Sequence, residues 1–313
     1  AVRPEMTRRL VWGLALVVVI ATVVLTSTLS GPSAPTSDAP STPDIPDPTA
    51  LATDMVPLQT LMEGLYATEQ HPDRAPACRP FGVVVPHHLV ASEAIVTGLQ
   101  ELVGQGITDI LLVSPGHFDA CPTLLCTSNV VFRTAYGETS ASPKTVQGLL
   151  ASPLVTDGAD VFQREHGVTA VVPFIAYLLP DVTVTPLLIS MTSGWKTRRQ
   201  DLLDTVSGVI GDTTAIVVSS DFSHYLTLSE ADDRDAETAA TILSGNLDGI
   251  AELQQPDQSD CPACLWLASA LAAERDASVP GILMHSNSAT ILNDETIPET
   301  TSHFAMRWCR SEK

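Results

Sequence analysis

Basic side chains are scarce in this 313-residue chain: 16 Lys and Arg stand against 36 Asp and Glu, a formal net charge of −20. No Lys/Arg cluster occurs beyond the extreme N-terminus. A surface of that sign repels phosphate backbones, which excludes nucleic-acid binding. The acidity itself reads as solubility. A G-x-S-x-G elbow is also lacking, and neither Ser114 nor Ser220 has an identifiable base, so a serine hydrolase has little support. No internal repeat is found, which argues against an array of repeated units. What is present is apolar: 44% of the residues are hydrophobic, enough for a proper core and too many for wholesale disorder. The length suits one large domain or two small ones.

Arg3, Arg8 and Arg9 precede an uncharged run, LVWGLALVVVIATVVLT, from Leu10 to Thr26. Seventeen or more apolar residues approach the ~30 Å needed to cross a bilayer as a helix, and positive charge on the N-terminal flank sets the orientation. The expectation is a cytoplasmic segment 1–9, a transmembrane signal-anchor 10–26 and an extracytoplasmic remainder. A cleaved signal peptide, with small residues near Pro32-Ser33-Ala34, is the alternative. Residues 27–57 are rich in Pro, Ser, Thr and Asp without apolar periodicity and read as a spacer. Residues 58–313 form the domain. Its six cysteines are Cys78, Cys121, Cys126, Cys261, Cys264 and Cys309; in an exported chain an even count reads first as disulfides, and the spacing leaves their pairing open. Cys261-Pro-Ala-Cys264 could also be a redox pair at a helix start, but a thioredoxin-type order of elements is missing around it.

Within the domain, short β-branched runs alternate with helical patterns. Phe81–Pro86, Asp109–Val113, Val182–Ser190 and Thr214–Ser219 read as buried strands; Ser92–Val103, Val168–Leu179, Arg198–Ile210, Leu228–Ser244 and Ala263–Ala273 read as helices. That alternation predicts an α/β fold, a three-layer αβα sandwich around a mostly parallel sheet, preceded by the transmembrane helix. Ligands of such sheets gather at the carboxyl ends of the strands. Three strand ends finish in histidine there: Pro86-His87-His88, Ser114-Pro115-Gly116-His117 and Ser220-Asp221-Phe222-Ser223-His224.

Neutral imidazole is the commonest protein ligand for transition metals. A lone loop histidine is ordinarily a surface residue, but repetition at equivalent positions favours function. His87 and His117 are the leading ligand pair, and two ligands at ~2.1 Å from one ion require ring nitrogens within roughly 5 Å. His88 points away from its neighbour and reads as an adjacent residue. Asp221 and His224 suit a turn that folds a carboxylate toward an imidazole, as acid/base or orienting partners, although Asp221 could equally cap a turn. Glu165 reads as a helix N-terminal residue.

The motifs VVPHH, VSPGH, REHGV, VVSSDFSHY, DCPAC and MHSNSAT, in this order, resemble the Memo-like family, whose prokaryotic members are called AmmeMemoRadiSam system protein B. The resemblance runs from about Gly82 to Trp308, and SSDFSHY is its most specific element. It implies the fold of class III extradiol dioxygenases and a metal-dependent redox enzyme holding iron or copper. His87, His117 and Cys261 would be the ligands, with His166, Asp221 and His224 lining the same pocket as catalytic groups. The family's usual alanine-glycine is replaced by His88-Leu89, its serine by Gly116 and a tyrosine by His285. The implied partners are a small-molecule substrate of unknown identity, the membrane through the N-terminal helix only, and other AmmeMemoRadiSam components. A non-catalytic binding or assembly module on this fold, and a metal-assisted hydrolase, are the competing expectations.

Overall fold

The β-branched runs lie side by side in the middle of a large sheet. The structure, a computed structural model, describes residues 45–53, 56–69, 78–192 and 194–311. In chain order its strands are β1 (Thr49–Ala52), β2 (Pro80–Val85), β3 (Asp109–Pro115), β4 (Leu125–Thr127), β5 (Val130–Thr134), β6 (Gly137–Ser140), β7 (Val155–Asp157), β8 (Thr183–Ile189), β9 (Thr214–Ser219), β10 (His224–Leu226), β11 (Gly281–Asn287) and β12 (Thr300–Cys309). The large sheet runs β10-β12-β2-β9-β3-β8-β4-β7, with β11 paired to β12; β1, β5 and β6 form a small separate sheet. β1 thus comes from within the stretch 27–57.

The sheet is mixed, which corrects the expectation of a mostly parallel one. Parallel pairings join β2 to β9, β9 to β3, β3 to β8 and β4 to β7. Antiparallel pairings, equal in number, join β12 to β2, β10 and β11, and β4 to β8. The antiparallel strands escape a hydrophobicity reading for local reasons. β12, TTSHFAMRWC, interleaves Thr, Ser, His and Arg with its apolar residues, and β4 and β7 are three residues each, too short to show a period. The expected transmembrane helix is no part of the described fold either. Among the described residues no helix is long and apolar enough to cross a membrane, and the stretch Leu10–Thr26 lies outside them.

Strand residues alternate between two cores, because successive side chains of a strand point to opposite faces. Val84, Leu111, Val113, Ile216 and Val218 join one core with Leu202, Val206, Leu265 and Leu271. Val83, Val85, Ile110, Leu112, Ala215 and Val217 join the other with Ile95, Leu99, Phe174 and Ile175. Both faces are therefore covered by helices, and truncating one fully buried leucine such as Leu271 would cost about 2–5 kcal/mol. The helix read over Val168–Leu179 is broken into His166–Thr169 and Val172–Leu178, with Pro173 in the first turn of the second, where its missing N–H is harmless. Helix Pro262–Glu274 also starts on a proline.

Candidate metal centre

Because β2, β9 and β3 are neighbours and parallel, their carboxyl ends deliver Pro86-His87, Ser220-Asp221 and Gly116-His117 to one edge of the sheet. The rings of His87 and His117 stand 4.9 Å apart, nearly perpendicular. Ring nitrogens of His87, His117 and His166 all lie within 4.8 Å of one another, the spacing that a shared ion requires.

Each of the two leading imidazoles is held in one tautomer. His87 Nδ1 is 3.0 Å from Ser219 Oγ, and Ser219 donates its hydroxyl proton to Gly167 O at 2.5 Å. A hydroxyl has one proton, so Oγ must accept from the ring and Nδ1 carries the hydrogen. His87 Nε2 is then the lone-pair nitrogen, 3.2 Å from Asp260 Oδ2 and 3.4 Å from Asp221 Oδ2. His117 is gripped by Glu165: its backbone N–H donates to Oε2 at 2.9 Å and its Nδ1 meets Oε1 at 2.5 Å. His117 Nε2 faces the same Asp260 oxygen at 3.6 Å. Glu165 is fully buried and also caps helix His166–Thr169 by accepting from Gly167 N–H. Gly167 cannot be replaced there, since a Cβ would lie 2.1 Å from Ser114 Oγ and 3.3 Å from His117 Cε1.

Asp260 is the residue on which these groups converge. It is 6% exposed; its Oδ1 accepts from Ser220 Oγ at 2.7 Å, while Oδ2 is buried and, unless the two imidazoles are protonated, has no hydrogen-bond donor among the described residues. It directly precedes the helix Pro262–Glu274, whose N-terminal dipole favours a negative charge. Two lone pairs aimed at a bare carboxylate oxygen repel unless a cation lies between them. Burial lowers the His87 pKa, but Asp221 and Asp260 outweigh it and raise the ring above its ordinary value. Burial is likewise outweighed at His117, which hydrogen bonds to Asp260 and Glu165 lift to about 9. Asp260 is held well below the usual carboxylate range by the two imidazoles, against the opposing effect of burial. In the absence of an ion, protons take the cation's place.

The other anticipated residues surround this cluster. His166 lies with its ring 4.0 Å from that of His117, and burial, with His117 and His87 adding to it, lowers its pKa. A cavity of about 590 Å³ is lined by His87, His88, His117, His166, Asp221, His224, Tyr225 and Asp260 among others, with no Lys or Arg. Asp221 and His224 share that cavity, but no hydrogen bond joins them among the described residues. Asp221 Oδ1 instead accepts the His87 backbone N–H at 3.1 Å, and His224 Nδ1 donates to Phe222 O at 2.6 Å.

Cys261 departs from the expectation. It is bonded to Cys264, so its sulfur is no thiolate and cannot act as the third ligand while that bond stands. Its Sγ instead accepts from Cys264 N–H at 3.2 Å, and no candidate metal group of the described residues contains a cysteine. The remaining cysteines pair as Cys78–Cys309 and Cys121–Cys126. Sequence reasoning passed over Asp260, one residue before that cysteine, and over Ser219, which fixes the His87 tautomer. It gave Glu165 only its capping role. The adjacency of an acid to the cysteine in DCPAC is the signal that could have found Asp260.

A family model described as Memo-like protein matches residues 52–289. MEMO1 family protein TV1383 of Thermoplasma volcanium is 23% identical over 230 residues, covering 70% of this chain and 82% of that protein. A MEMO1 family protein of Caldivirga maquilingensis is 26% identical over 219 residues, covering 66% of this chain and 76% of its own. The solved structure of an uncharacterized protein, JW3007 from Escherichia coli K12, has a TM-score of 0.48 at 16% identity, covering 72% of this chain and 98% of that one. So slight a likeness carries no argument about the site.

Proposed function

Since the chain belongs to the Memo-like family, related in fold to class III extradiol dioxygenases, we propose that it is a metal-dependent redox enzyme whose ion is held by His87 Nε2, His117 Nε2 and Asp260 Oδ2. The observation that carries this reading is the buried Asp260 Oδ2, which has no other partner among the described residues and faces the Nε2 atoms of His87 and His117. Two imidazoles and one carboxylate with open positions are the donor set of non-haem iron sites, and they suit iron better than a copper site built on thiolate. Such an ion would supply one-electron redox and Lewis-acid chemistry at the floor of the cavity.

The protein's own groups do the rest. Ser219 and Glu165 fix the two imidazoles in the tautomer that presents Nε2, the role that hydrogen-bond partners of metal-bound histidines usually play. Asp221 anchors the loop carrying His87 through its backbone N–H. His166, its pKa lowered by burial, is a neutral imidazole near pH 7 and accepts a proton from a substrate O–H. His224 spends Nδ1–H on Phe222 O, which leaves Nε2 as the acceptor in that ring. A cavity without Lys or Arg favours an uncharged small molecule. Three disulfides support work in an oxidising compartment.

The test is anaerobic loading with Fe(II), desalting and metal analysis, followed by EPR of the nitric oxide adduct. The wild-type protein should retain iron and give the adduct, and His87→Ala and Asp260→Ala should do neither. Equal iron retention by all three proteins would defeat the reading.

A further inference from the structure

Beside the first cluster lies a second, of which the proposed activity uses Asp221 but neither histidine. His88 follows His87 in the chain and opens to the cavity, while His303 is a fully buried residue of β12. His88 Nδ1 and His303 Nε2 meet in a hydrogen bond of 3.2 Å, one ring donating to the other. Two bonds of ~2.1 Å meeting at an octahedral or tetrahedral angle put their outer atoms roughly 3.0–3.4 Å apart, so this is also the spacing of two nitrogens on neighbouring corners of one ion. Ligand atoms of His88, Asp221 and His303 all lie within 4.8 Å of one another.

One further observation points to an ion. Asp221 belongs to two groups at once, with His87 and Asp260 on one side and His88 and His303 on the other. A carboxylate shared between adjacent ligand sets is suited to bridge two ions, and paired catalytic metals stand about 3.5–4 Å apart. The charges agree: two buried carboxylates, Asp221 and Asp260, line the cavity, and no Lys or Arg of the described residues does.

We propose that His88, His303 and Asp221 form a second divalent-cation site, so that Asp221 bridges a dinuclear centre. The pairing of the two ions rests on the reading of the first site, whereas the second site stands on its own residues. Two adjacent ions would favour a substrate that offers two neighbouring oxygen atoms, one to each metal.

Equilibrium dialysis of the full-length protein against Zn(II), with millimolar Mg(II) present to occupy exposed carboxylates, tests this by metal-to-protein ratio. Wild type should bind two equivalents, and His88→Ala, His303→Ala and His87→Ala one each. His303 is buried and its variant could unfold; His88 is exposed, and its variant, checked by circular dichroism, answers alone. One equivalent in wild type, unchanged in His88→Ala, overturns the second site and leaves the first. Two equivalents that survive in His88→Ala overturn it as well. One equivalent that depends on His88 but not on His87 upholds the second site and overturns the first.

Discussion

The two edges of the parallel strands treat their polar side chains in opposite ways. At the amino edge, Arg79, Arg275 and Arg310 cluster together, and each spends its donors on backbone carbonyls. Arg79 donates to Asp212 O, Arg275 to Ser207 O and Ile210 O, and Arg310 to Pro80 O and Thr214 O. At the carboxyl edge, by contrast, His87 and His117 turn Nε2 toward a carboxylate oxygen that has no other partner among the described residues. Satisfied polar groups stabilise a fold, while unsatisfied ones are retained at a cost in stability and mark a ligand. Such a contrast locates chemistry more sharply than the presence of charge does.

The comparison breaks most visibly at Asp260. Asp260→Ala should lower metal affinity roughly a hundredfold or more, beyond the usual effect of changing a partner that merely orients a ligand. Titration of the ion-free protein with Fe(II) measures it. Glu165→Gln keeps the shape of the helix cap but loses the charge that grips His117, and should weaken binding about tenfold to a hundredfold. The acidity of the medium gives the third effect. A metal must displace the His117 proton, which the ion-free ring holds up to about pH 9. Apparent affinity should therefore rise at least about tenfold per unit as pH climbs toward that value, more where His87 is protonated too, and level off above it. The linkage has the opposite sign in the ion-free fold. The raised pKa of His117 stabilises that fold fully below its ordinary value of 6.5, and the contribution is lost as pH rises through about 9. Melting curves with and without metal at several pH values read both trends. The smallest effect belongs to the amino edge: Arg275→Ala should lower stability by about 1–3 kcal/mol through two unpaired carbonyls, and leave metal content unchanged.

Legibility in the sequence followed the same division. β2, β3, β8 and β9 were readable because, but for Asp109 at the start of β3, they are uncharged, rich in β-branched residues and buried on both faces. β12 was not, although it lies between β10 and β2, because its polar residues alternate irregularly. The histidines at the strand ends were legible from chain position alone, and the structure brings His87, His117 and His166 together. Residues joined only by tertiary contact escaped. Asp260 arrives from the loop before helix Pro262–Glu274, and His303 from the overlooked β12. The cysteine expectation failed because its neighbour three residues on was as good a partner as a metal, and the disulfide leaves the acidic residue before it to face the histidines.

In the proposed site a carboxylate, and not a thiolate, completes the ligand set. X-ray absorption at the metal edge of the iron-loaded protein tests it most directly. The expected result is a shell of nitrogen and oxygen alone, at about 2.0–2.2 Å, retained in Cys261→Ala. A sulfur scatterer at about 2.3 Å that disappears in Cys261→Ala would contradict it.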